Sequence, residues 1–387
     1  MNVIDLDSNA TSPLAPDVLA AMRPFLLGGG NAESRHSLGR SARRAWDKAR
    51  NDLANVLGAD ASEIYFTSGG TEANNLALFG LLEEESAPAH VITSPIEHPA
   101  VSAPLGQLEA RGIAVTKLNV PRNGVMDVAD FVSGFGPDTR LATLMLGNNE
   151  TGAVQPVGEL AAEASERNIF VHSDAVQAVG RIPVHFHSLG VTTMTASAHK
   201  IHGPAGIGVL VARKGTRLKP MLFGGGQQGG LRPGTPPVAL AVGMAAALVL
   251  WHSQAQEVMR RQRLLRDRLE QQLVARLGRD HVMRHGPEAE SQRLPQTVNI
   301  GFPGLDANAL LIQLDLAGIC ASLGSACASG STQPAPTLIA MKVRDDTLKS
   351  SLRFSLNMFT TEQMIDDAVD RIVPVIERSR VHEAPAL

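Results

Sequence analysis

The sequence predicts an α/β protein with a large domain, a mostly parallel sheet flanked by helices, and a smaller α+β domain. Three observations carry this expectation. Short β-branched runs alternate with helical patterns through the first half, a long charged helix follows, and beyond it shorter strands and helices alternate in a new order.

The alternating runs are EIYFTS at 63–68, HVITS at 90–94, IAVTKLNV at 113–120, TRLATLML at 139–146, NIFVHSDA at 168–175 and VTTMTASA at 191–198. Helix-like stretches such as 71–82 and 157–167 lie between them, as parallel strands require, because each crossover must carry the chain back across the sheet. The apolar run VALAVGMAAALVLW at 238–251 is short for a bilayer span and contains a glycine, so it reads as a buried helix. Residues 254–277 set apolar side chains at three- and four-residue steps among many charges and read as a helix connecting the domains. Then come strand QTVNIGF, helix 306–317, strand-loop GICASLGSAC, helix PTLIAMK, strand SSLRFSLNMF and a last helix with a capping box of Thr360 and Gln363. The large domain is expected at 16–259, and the small one at 1–15 together with 260–387.

A chain of 387 residues, 44% hydrophobic and 19% charged, is long enough to bury a substantial core. Its formal net charge of -3 gives no basic field to gather nucleic acid or an anionic membrane surface, so a small-molecule substrate is expected and neither of those partners. Cys320 and Cys327 are the two cysteines, and no CxxC pair or His/Cys cluster has zinc-like spacing, so neither disulfide framework nor metal site is expected. The acidic start MNVIDLDSNA lacks the basic-then-apolar pattern of a signal peptide, and a cytoplasmic location is expected.

Lys200, in ASAHKIHGP, follows a run of small residues at the C-terminal end of a predicted strand, the edge where open α/β sheets bind ligands. Asp174 ends another strand, with Gln177 one turn later. Alone, such an acid is a helix cap or a solvated charge. Beside a strand-end lysine it can hold a protonated pyridine nitrogen while the lysine amine binds a cofactor aldehyde. Upstream, TSGGTEANN passes from strand through Gly69 and Gly70 into a helix whose first N–H groups, with the Thr71 hydroxyl, suit a phosphate; taken singly it is an ordinary helix cap. The three features on one sheet edge describe a pyridoxal phosphate site.

With DLDSNATSPLAP, FTSGGTEANNLAL, EHPAV, GNNETGAVQP, HSDAVQAVG, SAHKIHGPAGIGVL, GGGQQGGLRPGTPP, LGSACASG and LRFSLNMFTTEQ in this order, the chain resembles the cysteine desulfurases of the iron-sulfur assembly and nitrogen-fixation group, fold-type-I pyridoxal phosphate enzymes. The resemblance covers nearly the whole chain. It implies that Lys200 is the Schiff-base lysine, that Asp174 partners the pyridine nitrogen and Gln177 the ring hydroxyl, and that His98 stacks on the ring and moves protons. Gly70, Thr71, Ser197 and His199 would hold the phosphate, joined by Thr235 from a second subunit, which requires a homodimer. Asn149 and Arg353 would position the substrate L-cysteine, an arginine fork being suited to a carboxylate. Read without the resemblance, Asn149 fits a loop turn equally well.

Cys327 lies in SLGSACASGSTQPAP, a polar glycine- and serine-rich stretch unsuited to burial, whereas Cys320 in AGICA reads as a small buried hydrophobe. In the family mechanism Cys327 takes the substrate sulfur as a persulfide, alanine is released, and the sulfur passes to an acceptor such as an iron-sulfur scaffold protein. Leu323 stands where the family has a small polar residue, and Gln228, Gly229 and Pro233 replace its glutamate, arginine and serine. A selenocysteine lyase, a cystine lyase or an aminotransferase would keep Lys200 and Asp174 without needing Cys327 in the same way. A non-catalytic scaffold in sulfur trafficking would need none of them.

Overall fold

The computed structural model describes residues 2–82, 89–324 and 334–383. Its main sheet has seven strands, which run across the sheet as Ile64–Thr67, Gly208–Ala212, Thr193–Ser197, Phe170–Asp174, Thr139–Thr143, His90–Thr93 and Ala114–Lys117. The last five are parallel to one another. Gly208–Ala212 runs antiparallel to both of its neighbours, a strand the alternating pattern does not reveal because its residues sit inside a glycine-rich motif. The central strands are buried on both faces, as helices covering a parallel sheet require, and Thr193–Ser197 has no exposed residue. The edge strand Ala114–Lys117 is mostly exposed.

Burial explains the helices that cover the sheet. Ser37–Leu57 is strongly amphipathic and turns Trp46, Leu53 and Leu57 inward, and it ends on Gly58 in the left-handed region (φ 59°), which costs glycine least. The apolar segment Val238–Ser253 is a helix packed into the same core through Met244, Leu248 and Trp251. Ala255–Leu277 follows it after a sharp bend of 76°, and among the described residues no single helix is long and apolar enough to cross a membrane.

A second core gathers Leu265, Leu269 and Leu273 of that long helix with Ile300, Leu314, Phe354 and Ile372. Around it stand the antiparallel strands Met283–His285, Thr297–Gly301 and Ser351–Ser355 and the helices Ala307–Leu316 and Glu362–Glu383. The chain's first strand, Ile4–Asp5, pairs in parallel with Ile319–Cys320, and Ile4 and Leu6 are buried in this second core. The N-terminal segment then continues past Asp7, bridged to Ser355, towards the main sheet.

The last helix corrects one expectation. Its cap is Thr361, whose hydroxyl accepts the Met364 N–H at 3.2 Å, while buried Thr360 accepts the Asn357 N–H at 3.0 Å and the Gln363 amide donates to Asp367. The helix therefore begins one residue later than a Thr360–Gln363 box implies.

Candidate active site

The C-terminal ends of the parallel strands open into a cavity of about 240 Å³. Lined by Lys200, Asp174, His98, Asn149 and Arg353, it also takes in Gly70, Thr71, Gln177, Ser197 and His199. A larger cavity of about 630 Å³, between Leu57, Ile182 and Trp251, shares no residue with it and holds none of these groups. Thr235 lies apart: it is exposed and does not line the cavity of its own chain. Cys327 lies outside the described residues, and Gly324 is the described residue nearest before it on the cavity wall.

Lys200 ends a short 3-10 turn, Ala198–Lys200, directly after the strand Thr193–Ser197. Its Nζ donates to the carbonyl oxygens of Asn9 (2.6 Å) and Ala10 (2.8 Å), so the N-terminal segment supplies a backbone cradle for the amine. Arg181, wholly buried, donates through Nη2 to the Lys200 carbonyl at 2.6 Å, and burial lowers its pKa to about 10.

Asp174 ends its strand with both oxygens held. Oδ1 accepts the Val176 N–H at 2.9 Å and Oδ2 accepts the Asn74 amide at 2.7 Å. The Asn74 carbonyl oxygen meets His172 Nε2 at 3.0 Å, and His172 Nδ1 meets the Thr193 hydroxyl at 2.9 Å. Because the Asn74 amide faces a carboxylate, its oxygen faces His172, which must donate from Nε2 and accept at Nδ1. Burial agrees, pushing the His172 pKa down to about 4 and keeping the ring neutral. Asn74 and His172 were not singled out from sequence. Period-two alternation is the signal that finds His172, two residues before Asp174 on the same strand face.

The helix Gly70–Leu82 directs its N-terminal N–H groups towards the sheet edge, where a helix start favours an anion. Gly208 permits this approach: a β-carbon there would lie 2.7 Å from the Gly69 carbonyl carbon. Ser197 Oγ is buried with no hydrogen-bond partner among the described residues. His199 is kept neutral, its pKa lowered to about 4 by burial and then by the charge of Lys200. Gln177 donates to the Asn9 carbonyl at 2.9 Å, and its buried Oε1 has no partner among the described residues. Two unsatisfied buried oxygens on residues that line one cavity are costly unless a ligand pairs with them. The donor set therefore fits a phosphate-bearing aromatic aldehyde: helix N–H groups and Ser197 for the phosphate, Gln177 for a ring hydroxyl, Asp174 for a ring nitrogen and Lys200 for the aldehyde.

His98 caps the helix Pro99–Ala110, its Nδ1 accepting the Ala100 N–H at 3.0 Å. With Nδ1 accepting, a ring proton sits at Nε2. The preceding residue, Glu97, accepts the Met145 N–H at 2.7 Å through Oε1, while its Oε2 is buried with no partner among the described residues. Burial, and then the neighbouring Asp174 charge, push its pKa up to about 8.

Arg353 lies in the strand Ser351–Ser355 and is 1% exposed. Nη2 donates to Asp7 Oδ1 at 2.6 Å, and Nη1 donates to the carbonyl oxygens of Asn149 (3.1 Å) and Gly324 (3.3 Å). Next to Asn149, Glu150 accepts the Thr337 N–H at 2.8 Å. The turn at 148–150 thus touches the chain on both sides of the undescribed segment 325–333. Cys320, expected to be buried, is half-buried, and burial followed by the Asp5, Asp315 and Asp7 charges raises its thiol pKa.

Residues 4–367 match the aminotransferase class-V family. A cysteine desulfurase of Nostoc sp. is 42% identical over 386 residues, spanning 98% of this chain and 94% of that one. Among solved structures, a NifS-like protein superposes with a TM-score of 0.90 at 33% identity, covering 97% of this chain and 100% of its own. A structure described as SspA in complex with cysteine gives 0.80 at 30% identity over 92% of this chain and 99% of that one. With a fold, a cavity and a donor set of this kind, the chain belongs to the aminotransferase class-V family, among the cysteine desulfurases.

Proposed function

We propose that this chain is a pyridoxal phosphate-dependent cysteine desulfurase that converts L-cysteine to L-alanine and carries the released sulfur on Cys327 as a persulfide. The observation that carries the reading is the single cavity shared by Lys200, Asp174, His98 and Arg353, with the Ser197 and Gln177 oxygens buried and without a partner among the described residues. When bound, pyridoxal phosphate supplies the electron sink for charge developing on the substrate carbons. Asp174, fixed by Asn74 and Val176, holds the ring nitrogen protonated, and Gln177 holds the ring hydroxyl. Gly70, Thr71, Ser197 and neutral His199 bind the phosphate, with Thr235 of a second copy completing that pocket. Arg353 and Asn149 orient the substrate carboxylate.

Lys200 and His98 are the groups that move protons, the first at Nζ and the second at Nε2. The Cys327 thiolate forms a bond to the substrate sulfur as the substrate's carbon–sulfur bond breaks, and the remaining three-carbon amino acid leaves as alanine. The persulfide sulfur then passes to an acceptor protein, an iron-sulfur scaffold in this reading. A homodimer, a cytoplasmic location and the division at 16–259 against 1–15 with 260–387 belong to the same proposal.

Mass analysis after incubation with labelled L-cysteine tests it. A sulfur-heavier peptide containing Cys327, with alanine formed in step, is the expected result. Alanine formed with elemental selenium from selenocysteine, and none from cysteine, would instead make the chain a selenocysteine lyase.

A further inference from the structure

The strand Ile64–Thr67 forms one edge of the main sheet. Its only sheet partner among the described residues is Gly208–Ala212, with Phe66 opposite Val209, and residues of an antiparallel pair point alternate backbone groups away from the partner. At Phe66 those outward groups are met by a side chain 162 residues away: Gln228 Oε1 accepts the Phe66 N–H at 2.7 Å, and Gln228 Nε2 donates to the Phe66 carbonyl at 2.8 Å. The carboxamide thus takes the place of a neighbouring strand. Only an amide offers one donor and one acceptor in this geometry; a carboxylate would keep the N–H contact and set a charge against the carbonyl.

The clamp holds a loop that is otherwise weakly tied. Gln228 sits at φ 51° and Gly229 and Gly230 at φ 70° and 79°, so the chain turns through the left-handed region, which an L-residue such as glutamine enters at a cost. Gln227, beside it, reaches across the loop to accept the Gly234 N–H at 3.0 Å, fixing the residue before Thr235. Arg232 pairs with Glu72 at 2.8 Å, which ties the loop to the first turn of the helix Gly70–Leu82. Beyond these anchors the loop projects: Thr235 is exposed, and Phe223 is 88% exposed.

We propose that Gln228 is a positioning residue for the cofactor site of a second copy of this chain, its paired bonds to Phe66 holding the loop in the pose from which Thr235 reaches the neighbour's phosphate. The inference rests on the reading that Thr235 acts across a dimer. Its test is cofactor retention in the loaded dimer, read as lysine-linked cofactor remaining after dilution. Gln228→Ala is expected to release cofactor about tenfold faster, as the loss of the two Phe66 hydrogen bonds would give. Gln228→Glu, which preserves size and the N–H contact, is expected to fall between. A tagged hybrid dimer of a Gln228→Ala chain with a Lys200→Ala chain separates this from a local packing effect. The site that still has Lys200 then receives an intact loop, so retention should return to the wild-type rate. A Thr235→Ala and Lys200→Ala hybrid tests the underlying reading by the same rescue. If the Thr235 hybrid is rescued but the Gln228 hybrid is not, or Gln228→Ala and Gln228→Glu retain cofactor like wild type, the role of Gln228 is overturned. If the Thr235 hybrid is not rescued, action across the dimer falls, and the inference with it.

Discussion

The Asp7 carboxylate occupies Nη2 of Arg353 at 2.6 Å, at the group proposed to receive the substrate's own carboxylate. Asp7 is a quarter exposed and Arg353 almost wholly buried, so the pair keeps a buried cation compensated before substrate arrives. With Nη1 on the Asn149 and Gly324 carbonyls, an incoming carboxylate must share donors already in use. Asp7→Asn keeps an acceptor of the same shape but removes the competing charge. It is expected to lower KM for L-cysteine several-fold with kcat unchanged. Arg353→Ala should raise KM by about tenfold to a hundredfold, the range of a charge-assisted hydrogen bond, with the cofactor retained. Steady-state kinetics with a cofactor count checks both, and loss of cofactor at unchanged KM in Arg353→Ala would remove it from substrate binding.

Lys200 and Asp174 make separable demands on the cofactor. Lys200→Ala should lose the borohydride-reducible lysine adduct and all turnover. Asp174→Asn should stay folded, with the Asn74–His172 pair intact on one side, but lose rate by a factor of about a hundred or more, because a neutral amide no longer favours a protonated ring nitrogen. Absorption spectra and single-turnover rates measure the two effects. A lysine adduct surviving in Lys200→Ala would move the assignment to another residue.

Much of the fold is legible in the sequence because its strands fall in short runs set between helical patterns, such as those ending at Asp174 and Ser197, which are mostly buried under the covering helices. Strand Gly208–Ala212 hides in a glycine-rich stretch, and no local pattern tells that it runs against its neighbours. The cavity brings together Lys200, Asp174, His98, Asn149 and Arg353, which motifs had marked. The partners that hold them were not legible. Asp7 meets Arg353 through a pairing of segments 346 residues apart, and Arg181 meets Lys200 through its backbone, so neither leaves a trace in spacing or composition. Glu97 precedes a marked histidine, yet only the packing around Met145 shows that its carboxyl is sealed from water.

That sealed carboxyl makes stability depend on pH. In the folded chain Glu97 keeps its proton up to about pH 8, whereas in the unfolded chain it releases it near its ordinary value of 4.5. Between those values the folded state binds the extra proton, so stability falls as pH rises, on the order of 1 kcal/mol per pH unit. Glu97→Gln has no proton to lose and should remove this slope. Thermal unfolding of the cofactor-loaded protein from pH 5 to 8 should therefore show the variant gaining on the wild type as pH rises. Parallel curves across the range would show that Glu97 ionises in the folded state much as it does in water.

Cys320 and Cys327 give the sharpest separation of chemistry from structure. Cys320 is half-buried in the short parallel pair with Ile4–Asp5, and burial with three nearby carboxylates raises its thiol pKa, so at neutral pH it is a poor nucleophile. Cys320→Ser should cost about 1 kcal/mol of stability and leave turnover near the wild-type rate. Cys327→Ser should bind cofactor and L-cysteine as before, since neither binding step uses the thiol, yet form no protein persulfide and little alanine. Alanine and persulfide sulfur are counted together in one acceptor-free reaction with one L-cysteine per active site, which gives one of each per site in the wild type. Wild-type alanine formation by Cys327→Ser would mean that the sulfur leaves at the zero-valent level onto another thiol, such as that of a second L-cysteine, and Cys327 would then not be the sulfur acceptor.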